Sequence, residues 1–192
     1  MNYRLAPANR RPACFEDVLT AVRWVKAHAA EYKGDPTRIA LLGYSAGGHL
    51  VMLAGTQTNA DTRVQAVAAF APPTDLVADN ERRGGLTPSM RALFGWQSTN
   101  LTDEVRAVLK ENSALSHVQP GLPPVLIFNG SADKTVPHAQ SENFINALKA
   151  VNVDAMLITI PGGQHRISDW KKFSPDWQQQ WVAWLNEKLA AH

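Results

Sequence analysis

An α/β fold, with a mostly parallel sheet flanked by helices, is what three observations in this 192-residue chain predict. Short apolar runs of strand length, at 39–42, 64–70, 125–128 and 155–160, alternate with stretches of helical periodicity. Between the last two runs, Phe144, Ile145, Leu148 and Val151 recur at helical spacing, which supplies the crossover that a parallel strand pair requires. The third observation is Gly43-Tyr44-Ser45-Ala46-Gly47, which joins an apolar strand directly to a helix-compatible run at 48–54.

The elements follow in order. Residues 16–32 carry Val18, Val22, Val25 and Ala29 on one helical face and stop at Gly34-Asp35-Pro36, a turn that feeds the next strand. In the Gly-x-Ser-x-Gly turn that ends this strand, the flanking glycines are expected where side chains would collide with neighbouring backbone. The strand at 64–70 leads to Pro72-Pro73-Thr74-Asp75. An irregular stretch, about 78–124, then interrupts the alternation as a lid-like insertion within a single domain spanning 1–192. It contains Leu93, Phe94 and Trp96, which line an acyl pocket on one reading and pack the insertion itself on the other; the two readings stand equally. Ser174-Pro175-Asp176 looks like a helix start with a capping serine. Trp177, Trp181, Trp184, Leu185 and Leu189 follow on one face, best explained by packing on the sheet, with a partner chain as the second reading.

A serine in such a turn stands exposed at the N-terminus of the next helix, where the Ala46 N–H and the helix dipole favour negative charge. Its hydroxyl needs a base, and the base needs an orienting acid. Both are sought on loops at the carboxyl ends of later strands, in the order serine, acid, histidine. The run at 125–128 opens into Asn129-Gly130-Ser131-Ala132-Asp133, and the run at 155–160 into Pro161-Gly162-Gly163-Gln164-His165. Asp133 and His165 are therefore the expected acid and base. His49, one turn beyond Ser45, competes as a base but reads better as packing beneath the elbow. His28, His117, His138 and His192 lack strand-end context. Asp75 occupies a position where an alternative acid could stand, although turn or helix-cap duty explains it more simply.

With these residues in view, the chain resembles esterases of the α/β-hydrolase superfamily, of the hormone-sensitive-lipase-like and acetylxylan/feruloyl carboxylesterase types. The likeness is carried by Asn2-Tyr3-Arg4-Leu5-Ala6-Pro7, Pro12-Ala13 with Asp17, Asp35-Pro36-Thr37-Arg38-Ile39, the Ser45 turn through Gly48, Gly130 to Pro137, and Gly162-Gly163-Gln164-His165. Arg11 departs from the pattern, which usually has an aromatic residue there. The resemblance implies an α/β-hydrolase fold, a triad of Ser45, Asp133 and His165, no metal or other cofactor, and hydrolysis of small, short-chain carboxylic esters. It also implies that the first three strands and most of the fourth are absent, together with a His-Gly-Gly-Gly loop that supplies oxyanion donors in relatives. Ala46 is then the donor that is kept. Two alternatives stay open: a weakly active or inactive remnant that serves as an association module, and an oligopeptidase-like amide hydrolase.

Loss of the neighbouring strand would leave the segment between Ile39 and Tyr44 as an open, apolar edge, so homo-oligomerisation through it, or a rearranged N-terminal segment that covers it, is expected. A formal net charge of +2 with scattered Lys and Arg points to no nucleic-acid surface. The single cysteine, Cys14, rules out an internal disulfide and a thiol metal cluster. The start lacks an apolar signal core and no window approaches the roughly 18 apolar residues of a membrane span, so a cytoplasmic setting is expected.

Overall fold

The computed structural model describes residues 1–190. Strands β1 (Ala40–Tyr44), β2 (Ala66–Phe70), β3 (Val125–Gly130) and β4 (Ala155–Ile160) form a four-stranded sheet in the order β1-β2-β3-β4, with every neighbouring pair parallel. Helices α1 (Ala13–His28), α2 (Ala46–Gly55), α3 (Leu76–Arg82), α4 (Pro88–Phe94), α5 (Asp103–Glu111), α6 (His138–Ala150) and α7 (Trp177–Lys188) surround it. The alternation of strand and helix read from the sequence is thus a parallel α/β sheet, with α2 and α6 as the crossovers between β1 and β2 and between β3 and β4.

Alternation along the strands divides the core into two layers. Val67, Ala69, Val125 and Ile127 face one side, where they meet Val22 of α1, Val51 and Met52 of α2, and Phe144, Ile145 and Leu148 of α6. Ala66, Ala68, Phe70, Leu126 and Phe128 face the other, packed against Trp170 and the α7 residues Trp177, Trp181 and Trp184. The tryptophan stripe therefore packs on the sheet, with the Trp177 ring meeting Phe70 edge-on at 5.4 Å. Three helices of the insertion gather round their own small core of Leu76, Leu86 and Leu109, joined by Met90, Phe94 and Trp96.

Local expectations are corrected in three places. Helix α1 begins at Ala13 rather than residue 16, because Pro12 sits where a missing N–H breaks no helical bond. Ser174 does not cap α7: its hydroxyl bonds Asp176 Oδ1 at 3.3 Å, and the helix begins only at Trp177. The two glycines of the Ser45 turn also differ. A Cβ on Gly43 would overlap the Gly47 carbonyl, whereas one on Gly47 would meet nothing within 4 Å. Gly47 borders an open groove of about 470 Å³ along β1, also lined by Val22, Leu42 and Tyr44. The tight glycine after Ser45 is Gly48, whose Cβ would lie 3.0 Å from that of Pro72.

A second close approach joins the ends of β3 and β4, since a Cβ at Gly130 would overlap the Gly163 carbonyl. Gly130→Ala is expected to lower the unfolding free energy by about 3 kcal/mol, read from urea denaturation. Gly47→Ala, in an open helical position, should instead raise it by about 0.5–1 kcal/mol.

Candidate active site

Parallel strands point their carboxyl ends the same way, so the loops after β1, β3 and β4 converge at one end of the sheet. Ser45 follows the last residue of β1 and precedes the first of α2. Its backbone has φ 51° and ψ −118°, outside the comfortable range for a residue with a side chain. The strained turn is anchored on both sides: Ser45 N donates to the Phe70 carbonyl at 2.9 Å, and His49 N donates to the Ser45 carbonyl at 2.9 Å. Ala46 opens α2, and its N–H is one of the four at a helix start that have no intrahelical acceptor.

The structure brings Ser45, His165 and Asp133 together. Ser45 Oγ lies 2.9 Å from His165 Nε2, and His165 Nδ1 lies 2.8 Å from Asp133 Oδ2. An ionised carboxylate only accepts, so Nδ1 carries the proton toward Asp133 and Nε2 presents its lone pair to the serine hydroxyl. The Asp133 side chain is fully buried and well supplied with donors. Thr135 N and Val136 N reach Oδ1 at 2.8 and 2.9 Å, and Asn129 Nδ2 approaches Oδ2 at 3.3 Å. Such donors stabilise the ionised acid where burial alone would penalise it.

The loop that carries His165 is tied down residue by residue. Gly162 N donates to Ser131 Oγ at 2.8 Å, Ala132 N to the Gly163 carbonyl at 3.0 Å, and Trp170 Nε1 to the Gln164 carbonyl at 2.6 Å. Gly162 supplies the left-handed turn that this path needs, at φ 72°. Two residues at the site were not singled out in the sequence. Tyr44 donates its hydroxyl to the His165 carbonyl at 3.0 Å, and Asn129 supports Asp133. Both are immediate neighbours of motif residues, and their adjacency to Ser45 and Gly130 was the available signal.

The competing residues lie elsewhere. His49 is buried beneath the turn, its Nδ1 3.3 Å from the Pro73 carbonyl and its Nε2 without a partner. Burial pushes its imidazole down to about 4, with the Arg11 charge adding to the effect. Arg11 itself is packed over the Phe15 ring, 5.1 Å from its centroid. Asp75 caps α3 by accepting from Ala78 N at 3.0 Å, and the buried Gln140 amide grips its backbone N–H and C=O. His138 bonds Thr159 Oγ1, His117 the Glu111 carbonyl and His28 the Trp24 carbonyl. His192 lies outside the described residues.

In the insertion, Leu93 packs against Cys14, Val18 and Leu50, while the Phe94 and Trp96 rings stack with centroids 4.5 Å apart. All three keep part of their surface exposed. Among the described residues no group of three or more His, Cys, Asp or Glu side chains is placed to hold a metal ion. No described helix is long and apolar enough to cross a membrane.

Comparison with known proteins points to one family and one fold. The BD-FAE family matches residues 1–148. A probable carboxylic ester hydrolase, LipM of Mycobacterium tuberculosis (strain ATCC 25618 / H37Rv), is 34% identical over 178 residues, which are 86% of this chain and 40% of that protein. Esterase LipC of the same strain is 28% identical over 184 residues, 86% of this chain and 43% of that protein. The chain thus spans about two fifths of the length of these curated relatives. Among solved structures, a truncated carbohydrate esterase from gut microbiota superposes with a TM-score of 0.83 at 27% identity, covering 98% of this chain and 72% of that one. A bifunctional GH43-CE protein of Bacteroides eggerthii gives 0.85 at 26% identity, covering 99% of this chain and 27% of that one. These neighbours identify the architecture as the α/β-hydrolase fold.

The buried histidine beneath the turn makes stability depend on pH. His49 titrates near 4 when folded and near 6.5 when unfolded, so the unfolded chain binds the extra proton between those values. Stability is full above about pH 6.5 and should fall by on the order of 3 kcal/mol as the pH drops to about 4. Urea denaturation across this window should show the slope in the native protein and its loss in His49→Gln.

Proposed function

This chain belongs to the BD-FAE family, and from that premise we propose that it hydrolyses small, short-chain carboxylic esters through an acyl-enzyme on Ser45. The observation that carries the reading is the continuous hydrogen-bonded path from Ser45 Oγ through the imidazole of His165 to the buried Asp133, at 2.9 and 2.8 Å. The names of relatives such as LipM and LipC, an ester hydrolase and an esterase, support the same reaction class.

In this mechanism His165 Nε2 takes the Ser45 proton as Oγ attacks the ester carbonyl. Asp133 orients the ring and stabilises the imidazolium that forms. Charge develops on the carbonyl oxygen, where the Ala46 N–H and the N-terminal end of α2 oppose it. The tetrahedral species collapses when His165 returns the proton to the departing alcohol. Water then enters, His165 takes its proton, and a second collapse releases the acid and regenerates Ser45. The insertion acts as a lid whose Leu93, Phe94 and Trp96 shape the acyl side of the site. Phe94 and Trp96 keep part of their surface exposed at the margin of the insertion's own core, and Leu93 does so beside Cys14, Val18 and Leu50, which supports this assignment.

We also propose that copies of the chain associate along β1. Among the described residues this strand ends the sheet order, with no strand paired on its outer side, an edge able to accept a further strand, and Leu42 and Tyr44 on it are 41% and 37% exposed.

Hydrolysis of p-nitrophenyl acetate and butyrate tests the first proposal. Ser45→Ala should reduce turnover by at least about 10³-fold, and Asp133→Asn by about 10² to 10⁴-fold. Equal rates in the native protein and Ser45→Ala would instead assign the chain to a non-catalytic association module. For the second, light scattering after gel filtration should find more than one copy per particle, reduced to one by Leu42→Lys.

A further inference from the structure

Tyr44, between Gly43 and Ser45, takes no part in the chemistry just described, yet it touches the base twice. Its hydroxyl donates to the His165 backbone carbonyl at 3.0 Å. Its ring lies against the imidazole, with centroids 5.3 Å apart and planes inclined at 34°. The other ties of the histidine loop come from elsewhere: Ser131 and Ala132 follow β3, and Trp170 precedes α7. Within this set, Tyr44 is the tie that comes from the strand carrying the nucleophile. Ser45 Oγ and His165 Nε2 must stay within hydrogen-bond reach, and the two residues stand on loops of strands separated by β2 and β3.

Resting on the ester-hydrolase reading of the same site, we infer that Tyr44 is a positioning residue that fixes the height and tilt of the His165 ring over Ser45. The hydroxyl sets the backbone from which the ring hangs, and the aromatic face limits rotation of the ring about its side-chain bonds. A residue next to Ser45 is well suited to this, because any shift of the turn carries Tyr44 with it and the loop follows. Burial raises the Tyr44 phenol above its ordinary range, with the Asp133 charge adding, so the hydroxyl keeps its proton at neutral pH. The carbonyl acceptor has no titration of its own. Tyr44 stands on the sheet edge outside the core clusters, so its replacement removes no core side chain.

The test compares Tyr44→Phe, which keeps the ring and deletes the donor, with Tyr44→Leu, which removes both. Three quantities are read: kcat and KM with p-nitrophenyl acetate, the melting temperature, and the downfield proton resonance of the imidazole Nδ1–H bonded to Asp133. Tyr44→Phe should lower kcat by about 3- to 10-fold, the equivalent of one neutral hydrogen bond. KM should stay within about twofold, because the substrate is not touched. Melting should stay native-like while the downfield resonance broadens through faster exchange. Tyr44→Leu should lower kcat by a further factor of about 10. Native kcat and an unaltered resonance in Tyr44→Phe would overturn the inference, as would a loss confined to KM, which would make Tyr44 a substrate contact. If the native protein shows no Ser45-dependent turnover, the esterase reading fails by itself. The resonance then decides alone: unchanged in Tyr44→Phe, it overturns the positioning role, and broadened, it upholds it.

Discussion

The backbone of Ser45, held at φ 51° and ψ −118°, is the constraint on which the site depends. A residue with a side chain in such a conformation costs about 1–3 kcal/mol, and it persists only where its surroundings leave no alternative. Here the surroundings are specific. Gly43 lets the first turn of α2 come down on the strand, Phe70 accepts the Ser45 N–H, and the buried face of α2 locks into the sheet through Val51 and Met52. The turn leaves Ser45 Oγ facing the imidazole rather than capping its own helix, for which no side-chain bond is made.

The parallel register extends this one constraint to the other site residues. Tyr44 pairs with Phe70, Phe70 with Phe128, and Phe128 with Ile158, so the strands run level across the sheet. Each functional loop therefore starts from nearly the same height. Close contact between Gly130 and Gly163 draws the loops of Asp133 and His165 together, and the donors around Asp133 hold its carboxylate in place. Electrostatics and packing act in the same direction: a buried acid would be poorly tolerated without these donors, and with them it becomes a rigid anchor for the ring.

The molecule has two unlike sides around this centre. One is closed, where Trp177, Trp181 and Trp184 of α7 cover Phe70 and Phe128. The other opens along β1 into the groove beside Gly47. His49 lies beneath the elbow, neutral and nearly out of reach of solvent, with one ring nitrogen unpaired. It supports the turn from below as part of the structure while His165 faces Ser45 from above, so two histidines near one serine have opposite environments.

Much of this was legible in the order of residues. Strand and helix periodicities specify a parallel α/β sheet because burial on both faces demands continuous apolar runs. The spacing of Ser45, Asp133 and His165 relative to those runs was equally legible, because a strand end followed by a polar, glycine-containing loop is a local pattern. The cap at Ser174, the role of Gly47 and the contacts of Tyr44 were not. A cap depends on where the chain turns after the preceding segment, the need for a glycine depends on what comes near it from another part of the fold, and Tyr44 and His165 lie 121 residues apart along the chain. Sequence alone determined which residues could meet, through periodicities that each segment carries within itself. Only tertiary packing decided at what distances they meet, because a hydrogen bond between distant loops is set by the register of the sheet that separates them.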